Sequence, residues 1–223
     1  MTGNHTAVAL PSETWMARAA LFELLAMGLL LPRPELGDAL ASGEYRDACA
    51  EVSAALGLPL DERIDALRMY EGRPAQEVFS DIRVEFTRLF AATPRPLVVP
   101  YVGVWKMQQK GASAMLAVNP ESMGIERFMR RCGVAKNVAV GQANDPVDHI
   151  GTVCEFLEHL CLVQARAVRP AGGAVVASAD FDDFTGLYFA KYAGFCAKAI
   201  EDADPNPFYR FVAAALGEAA SFR

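Results

Sequence analysis

The chain lacks the short motifs that mark several common enzyme classes. It contains no G-x-S-x-G sequence, no phosphate-binding G-x-x-x-x-G-K-[ST] loop and no G-x-G-x-x-G sequence. These absences argue against a serine hydrolase, a nucleotide-phosphate site and a dinucleotide-binding site. Its five cysteines stand singly among apolar residues without a Cys-x-x-Cys pair, a pattern typical of reduced core thiols in a reducing compartment.

Residues that commonly bind metal are also scarce. Only three histidines occur, at His5, His149 and His159. Glu155 and His159 share one face of a predicted helix, with Asp148 and Glu158 nearby. A di-iron bundle needs Glu-x-x-His on each of two helices, and His-Glu-x-x-His zinc spacing is absent too. A helical metal-dependent enzyme that uses Glu155 and His159 remains an alternative to the simpler interpretation that these side chains face water.

Neither the charge nor the apolar runs indicate a nucleic-acid-binding or membrane-spanning protein. The formal net charge is −6, which gives no broad attraction to nucleic acid or to anionic lipid. The first long apolar run covers residues 24–31, whereas a membrane span needs about twenty residues. The N-terminus has no basic region followed by an apolar stretch and a cleavage site. We therefore expect a cytoplasmic protein.

Helical periodicity dominates what is present. The 223 residues are 52% apolar, enough to bury a sizeable core. The spacing of apolar residues, prolines and glycines predicts helices over residues 12–31, 35–56, 61–71, 74–91, 102–116, 120–132, 146–168, 181–201 and 207–221. We predict an all-α fold, a single globular domain of about nine to ten helices over residues 1–223, with a flexible tail at 1–11. Ser12 and Asn206 are the expected caps of the first and last helices, and the first helix is expected to be mostly buried.

The most informative segment is Asp145-Pro146-Val147-Asp148-His149-Ile150-Gly151. Proline fits the first turn of a helix, and an aspartate before it can cap the free amides. The segment therefore predicts a helix that begins at Pro146, with Asp145 as its cap and with Asp148 and His149 in its first turn. Asp148 and His149 are compatible with acid–base chemistry. In the structural alternative Asp148 caps the helix and His149 stacks over the preceding loop, and the sequence does not choose between the two.

Several motifs occur in an order that resembles the TorD/DmsD/NarJ group of redox-enzyme maturation chaperones. They are Phe-Thr-Arg-Leu-Phe at 86–90, a proline-rich loop at 94–99, Pro-Tyr-Val-Gly-Val-Trp at 100–105, an aromatic helix end at 128–133, Asp-Pro-Val-Asp-His-Ile-Gly at 145–151, and spaced aromatics at Tyr188, Tyr192, Phe195 and 207–209. Two departures stand out: Val102-Gly103 replaces the Glu-Ser of that group, and Val153 replaces a glutamate.

The resemblance implies a cytoplasmic chaperone and not an enzyme. Such a chaperone binds the twin-arginine signal peptide, or the apo form, of a molybdopterin-dependent oxidoreductase subunit. It assists insertion of the molybdenum cofactor into that client, delays export until the client is folded and carries no cofactor of its own. A monomer or a homodimer is expected, and a permanent assembly subunit of a dehydrogenase complex is an alternative.

A signal peptide presents arginines beside an apolar run, so its receptor needs an apolar groove with acceptors at the rim. The residues expected to form the apolar wall are Leu89, Phe90, Pro100, Tyr101 and Trp105. Asp148 and Glu155 are expected to provide carboxylates for arginine, and His149 to donate a hydrogen bond or stack nearby. The alternative for Leu89, Phe90 and Trp105 is ordinary core packing, and the alternative for Asp148 is helix capping.

Overall fold

All the regular secondary structure in the described part of the chain is helical. The computed structural model describes residues 10–111, 120–134 and 146–222. Ten helices follow in chain order within these ranges: α1 (Ser12–Leu29), α2 (Pro34–Ser42), α3 (Glu44–Leu56), α4 (Asp61–Asp65, continued as a 3-10 helix over Ala66–Tyr70), α5 (Ala75–Phe86, continued as a π-helix over Thr87–Ala91), α6 (Val102–Gln109), α7 (Pro120–Arg131), α8 (Ile150–Gln164), α9 (Asp180–Phe184, π-helical over Thr185–Phe189 and α-helical again over Ala190–Asp202) and α10 (Pro207–Ala219). The predicted all-α fold is confirmed.

Helix α1 lies at the centre of the single domain. Leu21, Phe22, Leu24 and Leu25 are all buried, so this helix is covered on most of its circumference. It packs most extensively against α8 and also contacts α3 and α10. The ring of Phe22 lies 5.6 Å from that of Phe189, which joins α1 to α9. As the sequence indicated, α1 is a core helix.

One predicted helix is in fact two. Residues 35–56 were expected to form one helix, but Gly43 has a φ of 89° and separates α2 from α3. A positive φ ends a right-handed helix, and glycine adopts it without a steric penalty. The break allows α2 to turn away and pack along α5. The prediction missed it because the apolar pattern continues through Gly43.

The predicted cap is wrong for the first helix and correct for the last. Ser12 is the first residue of α1 and not its cap, since Pro11 occupies the cap position. The Ser12 hydroxyl instead donates a hydrogen bond of 3.0 Å to the Ala165 carbonyl, just after α8. At α10 the prediction is confirmed, because the Asn206 side chain accepts from the Tyr209 amide at 3.0 Å. The tail expected at 1–11 lies almost wholly outside the described residues.

The five cysteines are buried and none forms a disulfide. Burial raises the pKa of the Cys132 thiol to about 11 and that of Cys196 to about 12. Burial also raises the pKa of the thiols of Cys49, Cys154 and Cys161. The thiolate is the reactive form of cysteine, so these side chains act as core residues, as the sequence pattern predicted.

No single helix in the described ranges is long and apolar enough to cross a membrane. Helices α1 and α2 satisfy length and composition together, but they are bent by 119° at their junction.

Gly37 is required for the close approach of α2 to α5. A Cβ atom at this position would lie 2.7 Å from the Ala75 carbonyl oxygen and 2.7 Å from the Cβ of Phe79. We expect Gly37→Ala to lower the free energy of unfolding by about 1–3 kcal/mol, as overpacking does. Urea unfolding measures the change.

Gly194→Ala is the matched control, because nothing lies within 4 Å of its Cβ position on the exposed side of α9. Alanine has the higher helix propensity, so this variant should gain about 0.5–1 kcal/mol. Equal effects from the two substitutions would contradict the packing described for α2 and α5.

Candidate functional site

The segment before α8 forms a turn and not the first turn of the helix. The His149 amide donates to the Pro146 carbonyl at 2.9 Å, and α8 begins only at Ile150. His149 is the N-cap residue, and its Nδ1 accepts a hydrogen bond of 3.2 Å from the Gly151 amide. The prediction that Asp148 and His149 lie inside the helix is therefore wrong by a few residues. Asp145, the predicted cap, is outside the described residues.

This turn pairs with the segment that precedes α6. The Ile150 amide donates to the Pro100 carbonyl at 2.8 Å, and the Val102 amide donates to the Asp148 carbonyl at 3.0 Å. These bonds form an isolated antiparallel bridge between Tyr101 and His149. The helices α6 and α8 consequently start side by side, although the two segments are far apart in sequence.

Asp148 caps the neighbouring helix and not its own. Its carboxylate Oδ2 accepts a hydrogen bond of 3.2 Å from the Gly103 amide in the first turn of α6. Only 4% of Asp148 and 4% of His149 is exposed. A carboxylate at a helix N-terminus is stabilised by the free amides and the helix dipole. The capping alternative for Asp148 therefore describes its contact in the fold, but with α6 as the helix capped.

The residues expected to form the apolar wall separate into a buried and an accessible set. Leu89 is fully buried, Phe90 is 6% exposed and Pro100 is buried. The Phe90 ring packs against Phe86 and Tyr209 at 5.2 and 5.9 Å, so it belongs to the core. Tyr101 and Trp105 are half-buried.

Tyr101 and Trp105 are half-buried, and each packs against further aromatic rings. The Tyr101 ring lies edge-on to the His149 ring at 5.4 Å, and the Trp105 ring lies 5.4 Å from that of Tyr192 and 5.8 Å from that of Phe195. Phe195 is among the exposed large apolar residues. We call Tyr101, Trp105 and Phe195 the aromatic shelf.

A cleft of about 790 Å³ lies between the end of α1, the start of α2, α5 and α8. We call the apolar residues of its lining the apolar base; they are Ala26, Met27, Leu30, Leu31, Pro32, Pro34 and Leu36. Four carboxylates line it, those of Glu23, Glu35, Glu155 and Glu158, together with the guanidinium groups of Arg33 and Arg83. We call this cavity the acidic cleft. Among the predicted site residues, Glu155 lies here.

Gly151 connects the turn before α8 to the acidic cleft. A Cβ atom at Gly151 would lie 2.5 Å from Leu30 Cγ and 3.0 Å from the Leu30 amide nitrogen, so a side chain would push α1 and α8 apart. Leu30 lines the cleft. Gly151, Glu155 and Glu158 share one face of α8, since residues four and seven positions apart align on a helix. The close approach of Gly151 to Leu30 thus helps to set where the two glutamates lie relative to α1.

The Glu158 carboxylate, which lines the cleft, has a raised pKa. Burial raises its pKa from 4.5 to about 7, and the negative charges of Glu23 and Glu155 add to the shift. Each cause favours the protonated form, because burial and nearby like charge both penalise ionisation. The sequence identified Glu155 as a candidate. It did not indicate that Glu23, which lies on α1 more than a hundred residues away, acts on Glu158 as well.

Glu155 and His159 differ in their surroundings. His159 stacks on Phe156 with ring centroids 6.4 Å apart, and burial lowers its pKa. Glu155 is exposed at the cleft. No group of three or more His, Cys, Asp or Glu side chains in the described residues is placed to hold a metal ion.

Comparison with known proteins identifies the family. The family model described as nitrate reductase delta subunit matches residues 47–203, more than half of the chain. The chain belongs to this family. The family is one of molybdoenzyme-maturation chaperones, which act with the catalytic subunits of those enzymes. No curated protein and no solved structure matches the chain.

The family match covers only part of the candidate site. It includes the paired segments before α6 and α8, the aromatic shelf and the α8 side of the acidic cleft. Helix α1 and the start of α2, which form the other side of the cleft, precede the matched residues. In this delta-subunit family member, Val102 and Val153 are fully buried, so glutamate at either position would place a carboxylate in the core.

Asp148→Ala should lower the free energy of unfolding by about 1 kcal/mol, because the Gly103 amide loses its acceptor. Asp148→Asn should lose much less, since the amide oxygen still accepts a hydrogen bond. Urea unfolding followed by circular dichroism compares the two variants. If alanine and asparagine are equally destabilising, charge and not capping is what the fold requires at this position.

Glu158→Gln should remove a pH dependence of stability. Folding raises the pKa of Glu158 from 4.5 to about 7. In the pH window between these two pKa values, the folded chain therefore keeps a proton that the unfolded chain has lost. The stability of the natural chain therefore falls as pH rises through the window. Glu158→Gln should match the natural chain at low pH and have the higher melting temperature above neutrality.

Glu51→Gln, an exposed change on α3, serves as control for this titration. It should leave the melting profile unchanged. If the melting temperature of Glu158→Gln changes with pH in parallel with that of the natural chain, the Glu158 carboxylate does not have the raised pKa.

Proposed function

We propose that the chain is a cytoplasmic chaperone that binds the twin-arginine signal peptide, or the apo form, of a molybdopterin-dependent oxidoreductase subunit. It assists insertion of the molybdenum cofactor into that client and delays export until the client has folded. Family membership supports the coarser role in molybdoenzyme maturation. The observation that carries the finer role is a cleft lined by apolar side chains and carboxylates, which is linked to the aromatic shelf by a series of contacts through Leu30, Gly151 and His149.

The chemistry of a signal peptide fits these surfaces. Its apolar run forms a helix that can bury one face in a groove, while its arginines need acceptors at the rim. The guanidinium group is planar and forms paired hydrogen bonds with a carboxylate, which makes arginine and glutamate a specific match. The cleft presents an apolar base and glutamates within one cavity.

The proposed peptide-binding residues divide into two roles according to their exposure. Tyr101 and Trp105 are accessible and are assigned to contact the apolar run, and Glu155 is assigned to contact arginine. The remaining five support the surface from behind: Leu89, Phe90, Pro100, Asp148 and His149. Asp148 and His149 do so by capping α6 and α8, through the hydrogen bonds to Gly103 and Gly151.

The two contact surfaces are joined by a short series of contacts. The Tyr101 ring packs on His149, the His149 side chain bonds the Gly151 amide, and Gly151 packs against Leu30 in the cleft. We expect a single bound peptide that reaches both surfaces to pass the turn at residues 146–151. This placement gives the motif before α8 a role in binding without any role in catalysis.

Trp105→Ala should weaken the binding of a twin-arginine leader peptide by about tenfold or more, as loss of a tryptophan anchor does at other interfaces. Trp105→Phe should recover part of the affinity, because a phenyl ring retains much of the apolar area. Binding should also weaken as salt rises, since arginine–carboxylate attraction at a surface is screened. Isothermal titration calorimetry measures all three effects.

Met69→Ala is the matched control, because Met69 is exposed on α4 and belongs neither to the shelf nor to the cleft. It should leave the affinity unchanged. A leader peptide that binds Trp105→Ala and Tyr101→Ala as tightly as the natural chain would contradict the proposed surface. Co-purification in a fixed ratio with the mature, cofactor-loaded enzyme would instead favour a permanent subunit.

A further inference from the structure

The acidic cleft concentrates negative charge over an apolar base. Glu23 projects from α1, Glu155 and Glu158 from α8, and Glu35 from the first turn of α2. Arg33, which precedes α2, and Arg83 on α5 also line the cavity. With all carboxylates ionised, negative charge exceeds positive charge among these six groups.

The two arginines that line the cleft make contacts of their own. The Arg83 guanidinium lies over the ring of Phe79 at 5.8 Å. Arg33 is the N-cap residue of α2. The charges that act on Glu158 are those of Glu23 and Glu155, and both are negative. A cation placed beside Glu158 would therefore offset the repulsion that Glu23 and Glu155 exert on its carboxylate.

We propose that the acidic cleft holds the arginine-bearing part of the client segment, and that binding releases a proton from Glu158. The inference rests on the proposed function and deepens it, because it assigns the arginines and the apolar run to different surfaces. The arginines lie between α1 and α8, and the apolar run extends over Leu30 towards the aromatic shelf.

The physical reason for proton release is charge balance in a partly buried site. Before binding, ionisation of Glu158 is opposed by burial and by the negative charges of Glu23 and Glu155. A guanidinium group in the cleft replaces that repulsion with attraction and bidentate hydrogen bonds. The ionised form of Glu158 is therefore the form that binds, and affinity should rise with pH.

The size of the effect follows from the titration of one group. With the pKa of free Glu158 at about 7, the ionised fraction grows about tenfold between about pH 6 and about pH 8. The affinity for an arginine peptide should grow by the same factor, with about one proton released per peptide at the lower pH. A metal ion or an isolated lysine would not use the apolar base of the cleft.

The test uses the full chain and a synthetic peptide with two arginines followed by a leucine-rich run and blocked termini, so that no peptide group titrates near neutrality. Calorimetry at about pH 6 and about pH 8, in buffers of different ionisation enthalpy, gives both affinity and proton release. Glu158→Gln should abolish the pH dependence and reduce the affinity at the higher pH. Glu51→Gln on α3 should behave as the natural chain does.

The outcomes separate this inference from the proposed function. Affinity independent of pH, or a Glu158→Gln variant that titrates as the natural chain does, overturns the cleft as the arginine site. If Trp105→Ala still weakens binding in that case, the proposed function stands without the inference. If neither the arginine peptide nor the apo client subunit binds at any pH, the proposed function fails and the inference fails with it.

Discussion

The pairing of the segment before α6 with the segment before α8 is the constraint on which the candidate site depends. Two backbone hydrogen bonds join them, from Val102 to Asp148 and from Ile150 to Pro100, and the Asp148 carboxylate adds a third bond to Gly103. The groups that form these three bonds lie in a region that excludes most solvent, where an unpaired amide or carboxylate is costly. The pairing therefore fixes the starts of α6 and α8 relative to each other. It also places the Tyr101 ring against His149, and Gly151 against Leu30.

The architecture was largely predictable because helix signals in this chain are local. Apolar residues at three- and four-residue steps, with proline and glycine at the ends, predict α5 and α10 closely, and the cap at Asn206 is as expected. The errors occur where a backbone change leaves the apolar pattern intact, as at Gly43. They also occur where a polar side chain finds a distant partner, as Ser12 does with Ala165. Neither a glycine break of this kind nor a distant hydrogen-bond partner can be recognised from the neighbouring residues.

The candidate site was predictable only in part, for the same physical reason. The motif before α8 correctly marks a helix start, and Tyr101, Asp148 and His149 do lie together. The sequence could not show that Asp148 caps α6 while His149 caps α8, because this exchange depends on which segments pair. Nor could it indicate that Glu23 lies beside Glu155 and Glu158, since their proximity arises from the packing of α1 on α8. Leu89 and Phe90 have the composition of a groove wall, but their burial depends on the surrounding helices.

A chaperone of this kind works by the free energy of binding, and the structure offers two kinds of surface for it. The aromatic shelf can bury apolar area, and the acidic cleft can match positive charge. The most direct measurement is photo-crosslinking of a leader peptide that carries one reactive group beside its arginines and, in a second peptide, one within its apolar run. The account predicts adducts on the α1–α8 side of the cleft, near Met27 and Leu30, for the first peptide and on Tyr101 or Trp105 for the second. Adducts confined to α3 or α7 in both cases would contradict it.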